Sequence, residues 1–208
     1  MRRRQNPSYG NGSGWRLILA AGLGLLCLSS ATASQTKAQV QGAGSKQASD
    51  DFLAHVNAYV KLRSRLQGTL PKMKATNHPD QLDDHQKALA AKILAARSDA
   101  KPGDIFTKSI SDEFRERIGQ ELLGQDARQA RQTIRQGDPV EFQVHVNQIY
   151  PATLPNTTVP PTLLLKLPKL PRGIEYRIVA RAFALLDVES RMIIDYIPDA
   201  LPPNTPVK

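Results

Sequence analysis

Cysteine is the scarcest chemistry in this chain of 208 residues, with Cys27 alone. A single thiol excludes an intramolecular disulfide framework and any zinc or iron-sulfur site built on several thiolates of one chain. Tryptophan occurs once and aromatic residues make up 5% of the whole. No glycine-rich phosphate loop, no zinc-protease helix and no nucleophile elbow occurs either, so the common sequence-legible enzyme classes have no foothold. Acidic residues are absent from the first 33 positions, which carry Arg2, Arg3, Arg4 and Arg16.

What stands there instead has the order of a secretory signal. The arginines precede an apolar run from Leu17 to Leu28, followed by Ser29-Ser30 and the small residues Ala31-Thr32-Ala33. A basic start, an apolar middle and a small-residue exit match the export machinery and its peptidase, so cleavage is expected after Ala33. The run is too short for a spanning helix, which needs roughly 20 apolar residues. Cys27 follows Leu26, too bulky for a lipid-attachment site, and belongs to the apolar segment. Removing residues 1–33 lowers the net charge from +9 to +5, and residues 137–208 carry none. With export, the missing basic domain argues against nucleic acid as a partner.

Residues 34–49, SQTKAQVQGAGSKQAS, offer almost nothing to bury and read as a flexible linker. From Ser49 as cap, Phe52, Val56, Tyr59, Val60 and Leu66 recur at helical spacing, ending near Gly68. Pro79 and Asp80 open a second helix with Leu82, Leu89, Ile93 and Leu94 expected inward. Lys101 to Asp104 breaks the chain. Thr107 or Ser109 then caps a third helix marked by Ile110, Phe114, Ile118 and Leu122, with Gly124 as stop, and Asp126–Arg135 forms a short fourth.

After Gly137-Asp138-Pro139 the period changes. Val140, Phe142, Val144 and Val146 alternate with polar residues, which predicts a half-buried strand. Six prolines between 151 and 172 leave room only for one helical turn beginning at Pro161. Two or three short antiparallel strands follow, over 175–179, 182–186 and 191–197, turned at Ala180-Arg181 and at 187–190. The expected architecture is α+β: three to four N-terminal helices packed on a small antiparallel sheet with a C-terminal hairpin. Its divisions are a signal peptide over 1–33, a linker over 34–49, one domain over 50–199 and a disordered tail over 200–208.

Three sets of side chains invite a chemical reading. His78, Asp80 and His85, with Asp83 and Asp84, carry metal-ligand chemistry within one stretch, although acids in a first helical turn also complement the helix dipole. Asp187 and Asp195 are the carboxylate pair nominated for acid–base catalysis. Against that, Asp187 suits a turn, and Asp195 shares strand parity with Ile193 and Ile197, where burial would call for Arg177 or Arg181 as partner. Lys61, Arg63, Arg65, Lys72 and Lys74 form a basic stretch expected to be a solvated face. His55 and His145 have no third group to build a hydrolytic triad.

Phe52-Leu53, Val56-Asn57 and Tyr59-Val60, then Ala95-Ala96-Arg97 with Gly103 to Phe106, Asn147 with Tyr150-Pro151, Pro160-Pro161 with Leu163-Leu164 and Leu167-Pro168, and the closing Glu175-Tyr176-Arg177, Asp187-Val188 and Ile193 to Pro198 carry a resemblance over about residues 50–199. On them the chain resembles a family of uncharacterised signal-peptide-bearing bacterial proteins. The resemblance implies export and a bacterial envelope setting and transfers no catalytic motif and no cofactor. The hairpin by itself looks like those of small periplasmic metal-homeostasis proteins, a fragment too short to carry function across. The expected role is a non-enzymatic binding module of the periplasm or cell exterior, meeting another envelope protein or a cell-wall component through its sheet or its proline-rich loop. An envelope hydrolase using Asp187 or Asp195 and a periplasmic metal-binding protein are the alternatives.

Overall fold

The computed structural model describes residues 32–72, 79–124, 127–135, 142–151 and 159–203. Helices α1 (Thr32–Gln67), α2 (Pro79–Ala96), α3 (Lys108–Leu123) and α4 (Ala127–Arg135) precede the two-residue strand β1 (Gln148–Ile149), the single turn α5 (Pro161–Leu164), and strands β2 (Ile174–Val179), β3 (Ala182–Asp187) and β4 (Met192–Ile197). The sheet is antiparallel with strand order β1-β4-β3-β2. The protein is α+β, with its four longer helices N-terminal to the sheet. Among the described residues no helix is long and apolar enough to cross a membrane.

The core grows from two helical stripes and the face of the sheet that they meet. Phe52, Val56 and Tyr59 lie on one face of α1, and Ile110, Phe114, Ile118 and Leu122 on one face of α3, spaced so that each falls above the last. They meet Tyr176 and Phe183 of the sheet. Phe52 stacks on Phe106 at 5.4 Å between ring centroids, Tyr176 on Phe183 at 5.3 Å, and Phe114 meets both Phe52 and Phe183 edge-on. A second, smaller cluster of Tyr150, Val179, Ala184, Leu186 and Ile193 covers the other face of the sheet.

Several expectations are corrected. The linker expected over 34–49 is helical and continuous with α1, so Ser49 is no cap. Ala48 is buried, Ser45 Oγ donates to Glu113 on α3 at 2.7 Å, and Gln47 donates to Asp51 one turn on at 2.8 Å. Tertiary contact supplies what the composition lacked. On α2, Leu89, Ala90 and Ile93 are buried, whereas Leu82 and Leu94, expected inward, are exposed. Phe142 and Val144 do alternate inward with Gln143 and His145 outward, yet over residues 142–147 there is no ladder and pairing begins only at Gln148. The tail is not wholly loose: Ala200 and Leu201 are buried, and the Arg181 guanidinium donates to the carbonyls of Leu201 and Pro202. The signal expected over 1–33 falls almost wholly outside the described residues, as do 204–208.

Candidate functional site

A break in the β3–β4 ladder decides where the two nominated carboxylates point. Leu186 pairs with Ile193 but Leu185 pairs with Asp195, so Ile194 is an extra residue, a β-bulge. The bulge inverts parity: Ile193 packs in the second cluster while Ile194 and Ile197 join the main core. Asp195 thereby leaves the face it shares with Ile193 in an unbroken strand and turns toward the loop before α3. It is fully buried.

Its partner is neither Arg177 nor Arg181. Oδ1 accepts from the backbone N–H of Gly103 at 3.0 Å and Tyr196 at 2.8 Å, and Oδ2 from those of Ile105 and Phe106, both at 2.7 Å. Four donors satisfy both oxygens, so no counter-ion is required. Arg177 instead reaches Glu175 at 2.5 Å, and Arg181 lies 3.7 Å from Asp199. The carbonyl of the bulged Ile194, lost to the ladder, accepts from both terminal nitrogens of Arg97 at 3.2 Å. Asn147, at φ +62°, receives Arg97 Nη1 on its side-chain oxygen and returns its amide to the Arg97 carbonyl at 2.7 Å. The Arg97 guanidinium also lies 5.1 Å above the Tyr59 ring, and burial pulls its pKa below the usual value.

Asp187 is also no simple turn residue. It ends β3 fully buried, receiving Tyr59 Oη at 2.7 Å and Ser190 Oγ at 2.8 Å on Oδ2, and Arg63 Nη1 at 2.8 Å and the Glu189 N–H at 3.1 Å on Oδ1. Arg63, expected on a solvated face, is 5% exposed. It also donates weakly to the carbonyls of Gly173 and Arg172, and its Nε has no partner. Gly173 sits at φ +82°, and a Cβ there would stand 2.8 Å from Arg63 Nη1, so both its backbone and its neighbour require glycine. Sequence reasoning missed Arg63. The available signal was its place on the α1 stripe, four residues beyond Tyr59, where a cation must find a buried acid.

Burial first, and then the Asp187 carboxylate, hold the Tyr59 phenol above its ordinary value of 10.0, and burial does the same for Tyr176. Both folded pKa values are raised, so their contribution is complete below pH 10 and declines above it, where the unfolded chain releases protons that the native one keeps. Stability should fall above that point by about 1.4 kcal/mol per pH unit for each phenol. Urea titrations across this range check it, and Tyr176→Phe should reduce the slope by one phenol. An unchanged slope in the variant would count against the assignment.

Both carboxylates therefore lock distant segments together, and neither lines any of the three surface clefts described next. One, of about 750 Å³, lies between the end of α1, the start of α2 and the β3–β4 turn, and includes His85 and Glu189. His78 lies outside the described residues, Asp80 is exposed, and Asp83 pairs with Lys87 at 2.6 Å. Among the described residues no group of three His, Cys, Asp or Glu side chains is placed to hold a metal ion. A second cleft, of about 360 Å³, runs between α4 and the start of α5. The third, of about 570 Å³, has Leu164, Leu165, Leu167 and Leu170 on one wall and Ile174 to Arg177 of β2 on the other. Leu164 and Leu165 are 44% and 88% exposed. Compared with known proteins, the chain matches no protein family, no curated protein and no solved structure.

Proposed function

We propose that this is an exported protein of the bacterial envelope, a non-enzymatic module that binds another envelope component on the side of the sheet where the proline-rich segment runs. The observation that carries the reading is the pairing of full internal satisfaction at Asp187 and Asp195 with two adjacent leucines held out to water at the cleft beside β2. A general acid or base needs a free oxygen within reach of substrate, and these carboxylates have spent theirs on the fold. Exposed leucines lining a cleft instead mark a surface that gains by being covered. Export rests on the order of residues 1–33.

The test is made in intact host cells, with a photo-crosslinking residue placed at Leu165 and, as control, at the outward Lys108 of α3. An adduct to one envelope protein or to cell-wall material at position 165 but not 108 is expected, together with a mature N-terminus at Ser34. A chain retaining Met1 in the cytosol, or no adduct at position 165, would overturn the reading.

A further inference from the structure

The cleft of about 750 Å³ shares no lining residue with the one beside β2, and its role is independent of the binding reading above. Its volume falls in the range of small-ligand pockets. Three elements wall it, and each is held by contacts behind the cleft. The α1 wall ends in a tight turn, with the Gly68 N–H on the Ser64 carbonyl and the Leu70 N–H on that of Gln67, both at 3.0 Å. The β3–β4 turn is tied to α1 through Asp187, which receives Tyr59, Arg63 and the Glu189 N–H. It is tied to the loop before β2 by the Val188 N–H on the Gly173 carbonyl at 2.9 Å. The start of α2 meets the same turn, where Asp83 lies 3.6 Å from Arg191. Walls fixed before a ligand arrives spare it the cost of ordering them.

The lining carries three kinds of chemistry. Leu82 and Val188, both exposed, make an apolar wall with Leu70 and Pro71. Ser64, Gln67 and Gln86 each offer a donor and an acceptor, the pair that a peptide unit also carries. Charges of both signs stand there, Glu189 in the turn and the exposed Lys72 just beyond α1. Oε1 of Glu189 lies 3.6 Å from Arg63 Nη2, too far for a hydrogen bond, because Arg63 directs its short contact to Asp187 at 2.8 Å. Glu189 therefore keeps accepting capacity for a second cation. We propose that this cleft binds a short peptide with free ends, its ammonium on Glu189, its carboxylate toward Lys72, its amides among Ser64, Gln67 and Gln86, and an apolar side chain against Leu82 and Val188.

The two signs of charge select the class of ligand. An amphipathic anion would meet a like charge at Glu189, and an apolar amine would meet one at Lys72, whereas a zwitterion satisfies both. A single amino acid carries both charges but has no peptide unit to engage the side-chain amides. Hydrogen bonds in which one partner is ionised are roughly twice as strong as neutral ones, so the two ends supply most of the affinity. The apolar wall adds preference for one side chain between them.

The probe is the tripeptide alanyl-leucyl-alanine, titrated calorimetrically into the processed protein beside its N-acetylated form, its C-amidated form and triglycine. The free tripeptide is expected to bind, and each blocked form to bind at least about tenfold more weakly, since each has lost one charge-assisted contact. Triglycine should also bind more weakly, for want of the apolar side chain. Glu189→Gln should abolish the penalty of acetylation and leave that of amidation, and Lys72→Gln should do the reverse, a pattern that a structural role for either residue would not produce. Leu82→Asp, at an exposed position, should weaken every form without lowering the thermal midpoint. Amide chemical shifts of Gln67, Gln86 and Val188 should move on binding while those of Leu164 and Leu165 stay. No binding of the free tripeptide at millimolar concentration, or affinities indifferent to both blocking groups, overturns the proposal. Capture by phosphatidylethanolamine vesicles in place of the tripeptide would overturn it in favour of a lipid headgroup. The crosslink at position 165 is untouched by any of these results, so the two readings fail separately.

Discussion

Asp195→Ala is expected to cost about 4 kcal/mol or more, read as a shift of the urea midpoint at neutral pH, because it strips acceptors from four backbone N–H groups at once. Each buried donor left unpaired costs about 1 to 3 kcal/mol, and a domain of this size has only about 5 to 15 in total. Asp195→Asn is the informative companion. Its amide keeps one acceptor oxygen but turns an NH₂ group against two of the donors, so it should fall between alanine and the parent. The damage should be centred on the loop over 101–106, whose backbone protons should exchange faster in both variants. A loss below about 1 kcal/mol for the alanine variant would sink the account of Asp195 as the clamp between this loop and β4.

Breaking the Arg63–Asp187 pair should rank next. Arg63→Met and Asp187→Leu are each expected to cost about 3 to 5 kcal/mol, because removing one member leaves the other charged in a dry setting. Without Asp187, the Arg63 head keeps only two long bonds to carbonyls, at 3.4 and 3.3 Å, and Glu189 at 3.6 Å. Tyr59 and Ser190 lose their acceptor at the same time. The double variant should cost clearly less than the two singles together, since neither charge is then stranded. Strict additivity would show that the two groups do not act as a unit. Arg63→Lys should not rescue, because an ammonium cannot span Asp187 and the backbone carbonyls of Arg172 and Gly173 from one fixed plane.

Much of the skeleton was legible because it is local. Pro79 at the start of α2, Thr107 and Gly124 bounding α3, Pro161 at the first position of α5 and the β-branched runs of β2 to β4 lie where the sequence places them, within a residue or two. Each reflects a constraint on the backbone within one turn or one hairpin. The misses share a different cause. Residues 34–49 have no apolar stripe of their own, and their helix is continuous with α1 where Ser45 and Ala48 meet neighbours distant in sequence. Residues 142–145 keep the alternation of a strand without its ladder, and backbone bonds to β4 begin only at Asn147.

The sequence by itself determined the α+β class, the order of the elements, the α3 stripe and the two turns of the C-terminal meander, since propensity, capping and periodicity act over a few residues. Only the tertiary structure decided what Asp187 and Asp195 do. A single extra residue at Ile194 inverts the parity of β4 and carries Asp195 to the backbone of residues 103–106, roughly ninety positions away in the chain. Asp187 meets Tyr59 and Arg63 across more than 120 residues. Periodicity reports which face of an element is buried, and the partner waiting on that face is chosen only when the elements pack.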